Sequence, residues 1–216
     1  MKTKKLVTSA VLIALATILS LVKLFELPFG GTVTVASMVP IIYISYEYGL
    51  KWGLFSAFVN SILQLICGIG TGIVSRMFLP GDEQMLLWQA LSICFLDYIL
   101  AYFVIGFGGI FKGKFKSQTG EIVLGTVFAL FLRWVAHLIS GYIFYGAWAE
   151  WFFTDVTGLY GVGFMKGFCD WVMAHFSGQG LAFLYSAVYN AGYMIPETII
   201  SAILAPVIFR FLHKTK

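Results

Sequence analysis

Long apolar stretches, separated by short polar segments, constrain the fold of this chain more than any other feature of its sequence. A helix that crosses a bilayer needs about 20 mostly apolar residues, because each residue advances the helix by about 1.5 Å. The predicted helices cover residues 6–22, 33–46, 52–69, 85–111, 122–145 and 181–209, of which the second is the shortest. The sequence therefore predicts an all-α integral membrane protein with six transmembrane helices, forming one membrane domain over residues 1–216.

The composition agrees with a membrane protein. Of the 216 residues, 60% are hydrophobic and only 11% are charged, whereas a soluble domain carries about 25% charged residues. The net charge of +4 lies in short clusters between the apolar stretches, and such clusters are typical of signals that orient membrane proteins. The expected partner of this surface is therefore the lipid bilayer, and nucleic acid is not expected as a partner.

The basic residues divide unequally between the two sets of connections. One set contains Lys2, Lys4, Lys5, Lys51, Lys112, Lys114, Lys116, Arg210, Lys214 and Lys216. The other set contains Lys23, Arg76 and Lys166 with the acids Glu26, Asp82, Glu83, Glu150, Asp155 and Asp170. Because cytoplasmic loops carry the excess of lysine and arginine, both chain termini are predicted to be cytoplasmic.

Two of the outer connections are long. The first covers residues 70–84, and the second is predicted as an extended extracellular loop over residues 146–180, rich in glycine and aromatic residues. Within the second, residues 164–176 have the pattern of an amphipathic helix that would lie in the plane of the membrane interface.

The fifth predicted helix contains a polar face. Arg133, His137, Gly141 and Tyr145 follow one another at intervals of four, so they lie along one side of a helix. Ionisable groups inside a membrane cost about 2.5–3.5 kcal/mol on insertion scales and suggest function. Arg133 could pair with an acid, and His137 could make a hydrogen bond between helices or contact a ligand. Gly141 would allow a ligand or another helix to approach closely.

Other helices contribute further polar groups. Asp97 needs a partner within the membrane, which could be Arg133, a proton or a cationic ligand. Tyr185 and the amide of Asn190 could share one wall of a cavity. Glu197 follows a helix-kinking proline, and its role as a group for ligand, proton or packing stays open.

No enzyme signature is present. The chain contains no G-x-S-x-G, H-E-x-x-H or phosphate-binding G-x-x-x-x-G-K-[ST] motif, so no catalytic residue is predicted. His137, His175 and His213 are too dispersed to predict a metal site. The residues alone favour a membrane protein with an outward-facing polar and aromatic pocket for a small, flat, polar ligand. A cationic ligand would be held by aromatic faces beside a carboxylate.

Four stretches carry a resemblance to a known family. They are GGTVTVASMVPIIYISYEYGLKWG, FLDYILAYFVIGFGGIF, RWVAHLISGYIFYG and YSAVYNAGYMIPE, which occur in this order along the chain. In these stretches the chain resembles the thiamine-specific S-components, the substrate-binding membrane subunits of energy-coupling factor (ECF) transporters. The resemblance implies a six-helix bundle in a bacterial plasma membrane, with a site near the outer face under the loop that joins the first two helices.

The resemblance also implies a ligand, partners and roles for residues. The ligand would be thiamine, with no cofactor, and the partners would be a transmembrane scaffold subunit and two ATPase subunits. Asp97 takes the place of an acid near the thiazolium, where relatives often have Glu. The other residues implied to line the site are Tyr98, His137, Gly141, Tyr145, Tyr185 and Asn190. Ala10 and Ala14 form a small-xxx-small pair implied to contact the scaffold.

Some alternatives stay open. Tyr145 stands where some relatives have tryptophan, and an aromatic wall could instead be completed by Trp88, Trp148 or Trp151. The same fold could bind a thiamine precursor or another vitamin. A protein of another class, a stand-alone proton-coupled carrier, would use Asp97 or Glu197 as its proton relay.

Overall fold

A computed structural model describes residues 2–27, 30–81 and 83–214. Asp82 and Lys216, which entered the charge comparison above, lie outside the described residues. Within them, five helices are long and apolar enough to cross a membrane. These are α1 (Lys2–Leu21), α3 (Leu50–Gly70), α4 (Leu87–Gly109), α5 (Gln118–Phe144) and α8 (Gly178–Lys214). The shorter elements are β1 (Lys23–Glu26), β2 (Thr32–Thr34), α2 (Val39–Tyr48), α6 (Ala149–Thr154) and α7 (Lys166–His175).

The second predicted helix differs from the structure. Residues 33–46 were expected to form it, but β2 and a turn occupy residues 32–38, and α2 has only 10 residues. Nearly all of α2 is buried among its neighbours, from Val39 through Tyr46. A non-helical backbone at membrane depth is tolerated where protein rather than lipid surrounds it. For that reason this part of the chain does not need a helix of about 20 residues.

The fourth long helix, α4, is continuous but changes its geometry along its length. It starts as an α-helix at Leu87–Ile93, becomes a π-helix at Cys94–Leu100, and ends as a 3₁₀-helix at Val104–Gly109. The glycines of the 3₁₀ segment allow close packing, since a Cβ at Gly109 would lie 2.5 Å from the backbone of Ser45. The π segment widens the helix around Asp97, and π segments are frequent at functional sites.

The predicted extended loop 146–180 is in fact folded. It contains α6 and α7 together with 3₁₀ turns at Gly146–Trp148, Leu159–Gly161 and Gly163–Met165. The helix expected over residues 164–176 is present as α7. Phe153, Cys169 and Val172 are almost fully buried where this segment packs on α8. Burial of these apolar side chains outweighs the loop character suggested by the many glycines.

The basic connections meet at one end of the bundle. Lys5 Nζ donates to the backbone oxygen of Tyr48 at 3.4 Å, and Lys112 Nζ donates to that of Glu47 at 3.1 Å. On the outside of the bundle, large apolar side chains remain exposed, among them Val11, Ile203 and Phe211. Such extensive apolar exposure is expected where lipid rather than water surrounds the helices.

Candidate functional site

A cavity of about 250 Å³ lies at the opposite end of the bundle, between α4, α5 and α8. Three connections close around it: the β1–β2 hairpin, the segment between α3 and α4, and the segment between α5 and α8. The residues predicted from the sequence to line a site, Asp97, Tyr98, His137, Gly141, Tyr145, Tyr185 and Asn190, all line this cavity. Their roles in binding stay predictions. The structure adds Gly30, Gly31, Thr32, Ile73, Arg76, Met77, Glu83, Gln84, Met85, Ile93, Tyr102, Arg133, Trp148, Tyr189 and Tyr193.

Asp97 and His137 form a hydrogen-bonded unit in the wall. His137 Nδ1 lies 2.8 Å from Asp97 Oδ1, and Ser140 Oγ donates to Asp97 Oδ2 at 2.7 Å. Arg133 Nε donates to His137 Nε2 at 3.3 Å. Because Nε2 accepts this bond, we assign the proton of a neutral imidazole to Nδ1, from which it is donated to the carboxylate.

Arg133 therefore reaches Asp97 through an imidazole. Within the described residues, the two form no direct ion pair, so the possibility that Arg133 is the immediate partner of Asp97 is wrong. The guanidinium lies over the ring of Tyr102, with Cζ 4.4 Å from the ring centroid, and Nη1 contacts Met38 Sδ. These contacts join α5 to α4 and to the residue just before α2, so Arg133 helps to hold these helices together.

Arg133 also lines the cavity, which sequence reasoning missed. The available signal was its spacing of four from His137, since two residues at this interval share a helix face. Through His137 it places a positive charge near Asp97, so the polar wall contains one carboxylate and one guanidinium. The wall is thereby close to neutral before any ligand binds.

Gly141 serves contact between helices. A Cβ added to it would lie 2.3 Å from Ser186 Oγ and 3.2 Å from Asn190 Nδ2. Glycine thus allows α5 and α8 to pack closely, which is one of the two roles considered for it. Asn190 is well satisfied, since Nδ2 donates to Ser186 O at 2.8 Å and Oδ1 accepts from Tyr193 Oη at 2.7 Å. These bonds fix the orientation of the amide in the wall.

Tyrosines of α8 form an aromatic wall. Tyr185, Tyr189 and Tyr193 occur at intervals of four, with ring centroids 5.8 and 6.1 Å apart in successive pairs. Tyr189 and Tyr193 were missed, although the spacing from Tyr185 could have identified them. Of the three tryptophans considered, Trp148 lines the cavity. Trp88 packs on Phe144 and Trp151 packs on Trp148.

The rim of the cavity is charged and partly exposed. Arg76 Nη1 lies 3.0 Å from Glu83 Oε1, and both side chains line the opening. On the opposite side of the rim, the backbone N–H of Gly31 donates to Tyr189 Oη at 3.4 Å. Below the rim, the wall is formed mainly by aromatic rings. The site is thus polar at its mouth and at Asp97, with an aromatic surface between.

Three other residues singled out in the sequence do not line the cavity. Glu197 is completely buried and binds Thr34 of the hairpin. Ala10 and Ala14 are exposed on the outer surface of α1, and their role as a scaffold contact stays a prediction. Within the described residues, no cluster of three or more His, Cys, Asp or Glu side chains is placed to hold a metal ion.

A helical bundle with an apolar outer surface and an enclosed polar and aromatic cavity defines a membrane-embedded ligand-binding protein. Residues 6–151 match the family described as Thiamine transporter protein (Thia_YuaJ). Thiamine transporter ThiT of Bacillus subtilis (strain 168) is 30% identical over 216 residues, which cover 95% of this chain and 90% of that protein. The chain therefore belongs to the thiamine transporter family.

A solved structure shares the fold. ThiT from Listeria monocytogenes superposes with a TM-score of 0.57 at 20% identity, covering 96% of this chain and 98% of that chain. The family resemblance expected from the four sequence stretches is thus confirmed. The relatives are named as transporters, which is a non-enzymatic role, so the prediction that the chain is not an enzyme is also confirmed.

Proposed function

We propose that this chain binds thiamine in the cavity and serves as the substrate-binding subunit of an ECF transporter. The observation that carries the proposal is Asp97, whose carboxylate lies beside the tyrosine rings of the cavity and is oriented by His137 and Ser140. The membership of the chain in the thiamine transporter family supports the choice of ligand.

The chemistry of the cavity suits a flat organic cation. A thiazolium ring is attracted to the negative faces of tyrosine rings and to a carboxylate. The carboxylate is already oriented by two hydrogen bonds, so it loses little freedom when the ligand arrives. Asn190 Nδ2 is occupied by bonds to Ser186 O and His137 O, but Oδ1 keeps one lone pair beside the bond from Tyr193. That lone pair and the phenols of α8 can bond to an aminopyrimidine.

The proposed transport partners are those implied by the resemblance to ECF S-components. The sequence of the chain contains no phosphate-binding loop for ATP, so accumulation against a gradient requires another source of energy. A membrane scaffold subunit and two ATPase subunits would supply it. The exposed small residues Ala10 and Ala14 on α1 offer a surface on which another helix can approach closely.

The proposed topology has six crossings of a bacterial plasma membrane, with both termini in the cytoplasm. The second crossing is made by β2 and α2, which lead from the cavity end to the basic end near Lys5 and Lys112. The excess of basic residues at that end supports a cytoplasmic location. The cavity would then open to the outside, from which the vitamin is taken up.

A fluorescence titration of the purified full chain with thiamine tests the ligand. We expect saturable quenching of tryptophan emission, because Trp148 lines the cavity. In the Trp148→Phe variant, most of this quenching should disappear while calorimetry still detects binding. Isolated pyrimidine and thiazole fragments should compete weakly. If the chain did not bind thiamine at micromolar concentration but did bind a precursor or another vitamin, that compound would be its ligand instead.

Uptake measurements in cells test the partners. Accumulation of labelled thiamine should require the scaffold and ATPase subunits to be expressed with this chain. Uptake in cells that lack those subunits would favour the stand-alone proton-coupled carrier. The structure offers little for that alternative at Glu197, because its carboxylate is engaged by Thr34 and does not line the cavity.

A further inference from the structure

Glu197 is a completely buried carboxylate that the proposed binding site does not use. It lies on α8, one helical turn after the cavity-lining Tyr193. Its Oε2 accepts a hydrogen bond from the backbone N–H of Thr34 at 2.6 Å, and its Oε1 accepts one from Thr34 Oγ1 at 2.9 Å. Within the described residues it makes no ion pair. Both oxygens are thus directed at a single residue of another element.

That residue ends the strand that closes the cavity. Thr34 is the last residue of β2, and Gly31 and Thr32, just before it, line the cavity. Gly31 is also docked on α8, since a Cβ there would lie 2.6 Å from the ring of Tyr193. Tyr189, Tyr193 and Glu197, at intervals of four, therefore form the face of α8 on which the strand lies.

The two attachments of the strand differ in strength. At the rim, the Gly31 N–H donates to the neutral Tyr189 Oη at 3.4 Å, which is a long hydrogen bond. At the inner end, a carboxylate accepts two shorter bonds, and bonds to a charged acceptor are about twice as strong as neutral ones. The inner attachment to Glu197 is therefore the stronger of the two hydrogen-bonded attachments to α8.

Packing alone does not explain a buried carboxylate at this position. Burying it without a cation costs several kcal/mol, and an apolar side chain of similar size would fill the same space. Unlike an apolar side chain, a carboxylate forms directional hydrogen bonds, here with both the backbone N–H and the hydroxyl of Thr34. A slip of the strand by one residue would turn every side chain to its opposite face. The bonds to Thr34 exclude such a slip.

We propose that Glu197 is a positioning residue for ligand binding. By holding Thr34 it keeps Gly31 and Thr32 against the cavity, and so it limits the rate at which a bound ligand leaves. This inference rests on the proposed function for its ligand. The position of the strand itself can be measured without any ligand.

Rapid-mixing fluorescence with thiamine tests this role in Glu197→Gln and Thr34→Val. Glu197→Gln replaces one carboxylate oxygen by an NH2 group and removes the negative charge. Thr34→Val replaces the hydroxyl by a methyl group, so the side chain keeps nearly the same shape. We expect each variant to raise the dissociation rate constant about tenfold, while the association rate constant changes by less than about threefold. Thr34→Val keeps the backbone bond to Glu197 and also removes the contact of the hydroxyl with Ser37 Oγ at 2.7 Å. The effect of the double variant should be smaller than the sum of the single effects, because both changes disturb the bond between Glu197 and the Thr34 hydroxyl.

Thr198→Val is the matched control on the same helix. The hydroxyl of Thr198 bonds only within α8, to Met194 O at 2.7 Å, so dissociation should be unchanged. A purely structural role would lower the melting temperature and the active fraction without altering dissociation from the folded protein. Unchanged dissociation in both Glu197→Gln and Thr34→Val, or additive effects in the double variant, would overturn the proposal.

Amide hydrogen exchange without ligand separates this inference from the proposed function. In Glu197→Gln, the amide of Thr34 and its neighbours in β2 should exchange at least about tenfold faster than in the unmodified chain. If the chain does not bind thiamine, faster exchange still supports the positioning of the strand. Should Glu197→Gln fail to fold, Thr34→Val, which leaves α8 intact, provides the same kinetic test. Unchanged exchange would refute the role of Glu197.

Discussion

Asp97 is the residue on which the electrostatics of the cavity depend. Its carboxylate is bonded to His137 and Ser140, and through His137 it is linked to the buried Arg133. This arrangement keeps a negative charge in an apolar setting at a lower cost than an isolated carboxylate would have. It also leaves the second lone pairs of the carboxylate oxygens available to a ligand.

Replacing Asp97 by Asn tests whether this charge selects a cation. The amide has nearly the same shape and can still accept a hydrogen bond from His137, so the fold should be retained. We expect thiamine affinity to fall at least about tenfold, or about 1.4 kcal/mol. The affinity of the neutral pyrimidine fragment should change little. Calorimetric titration of both ligands would measure the difference.

Glu150→Gln is the control, since it removes an acid exposed at the same end of the molecule. Its effect on thiamine affinity should be small, because exposed charges are screened by salt. Equal losses for thiamine and for the neutral fragment in Asp97→Asn would contradict a specific role of the charge.

Among the structural elements, the segment between α5 and α8 contributes most that is unexpected. It folds into α6 and α7, and it brings Trp148 to the cavity wall. Phe153 anchors it, with an edge-to-face contact to Phe152 at a centroid distance of 5.1 Å and one to Phe168 at 6.3 Å. The position of Trp148 therefore depends on apolar packing of a segment that is distant from Asp97 in sequence.

Phe153→Ala should loosen this segment. Phe153 is 1% exposed, and truncating a buried phenylalanine typically costs about 3–5 kcal/mol. We expect faster proteolysis between residues 149 and 175 and a loss of the quenching reported by Trp148. Limited proteolysis followed by mass spectrometry would locate the cleavage.

The matched variant is Phe164→Ala, in the same segment. Phe164 is 87% exposed, so its truncation should leave proteolysis unchanged. Similar cleavage of the two variants would show that the burial of Phe153 does not hold the segment in place.

In the whole molecule, the two ends of the bundle have opposite characters. The basic connections meet at one end, whereas the cavity and all three connections around it occupy the other. This polarity is a property of the assembled bundle, since each end combines residues from four or more parts of the chain. It supports a fixed orientation in the membrane.

Cysteine labelling on intact cells tests the orientation. In a background with Cys67, Cys94 and Cys169 replaced, Gly163→Cys should react with a membrane-impermeant maleimide, and Lys116→Cys should not. Both positions are exposed and belong to opposite ends. After permeabilisation both should react, which controls for accessibility. If only Lys116→Cys were labelled in intact cells, the protein would have the opposite orientation in the membrane.

The sequence by itself determined the helical membrane class, because runs of apolar residues report directly on the solvent that surrounds them. It also determined much of the cavity wall, since residues four apart share a face of a helix whatever the helix packs against. Thus His137 and Tyr145, or Tyr185 with its unrecognised neighbours Tyr189 and Tyr193, could be grouped from spacing alone.

Only the tertiary structure decided which of these helix faces meet and which side chains form hydrogen bonds with one another. That His137 rather than Arg133 binds Asp97, and that Glu197 binds Thr34, depends on distances between helices far apart in sequence. The short helix α2 and the folded segment after α5 were likewise determined by burial against neighbours. Packing between elements is a collective property of the bundle, and local periodicity contains no information about it.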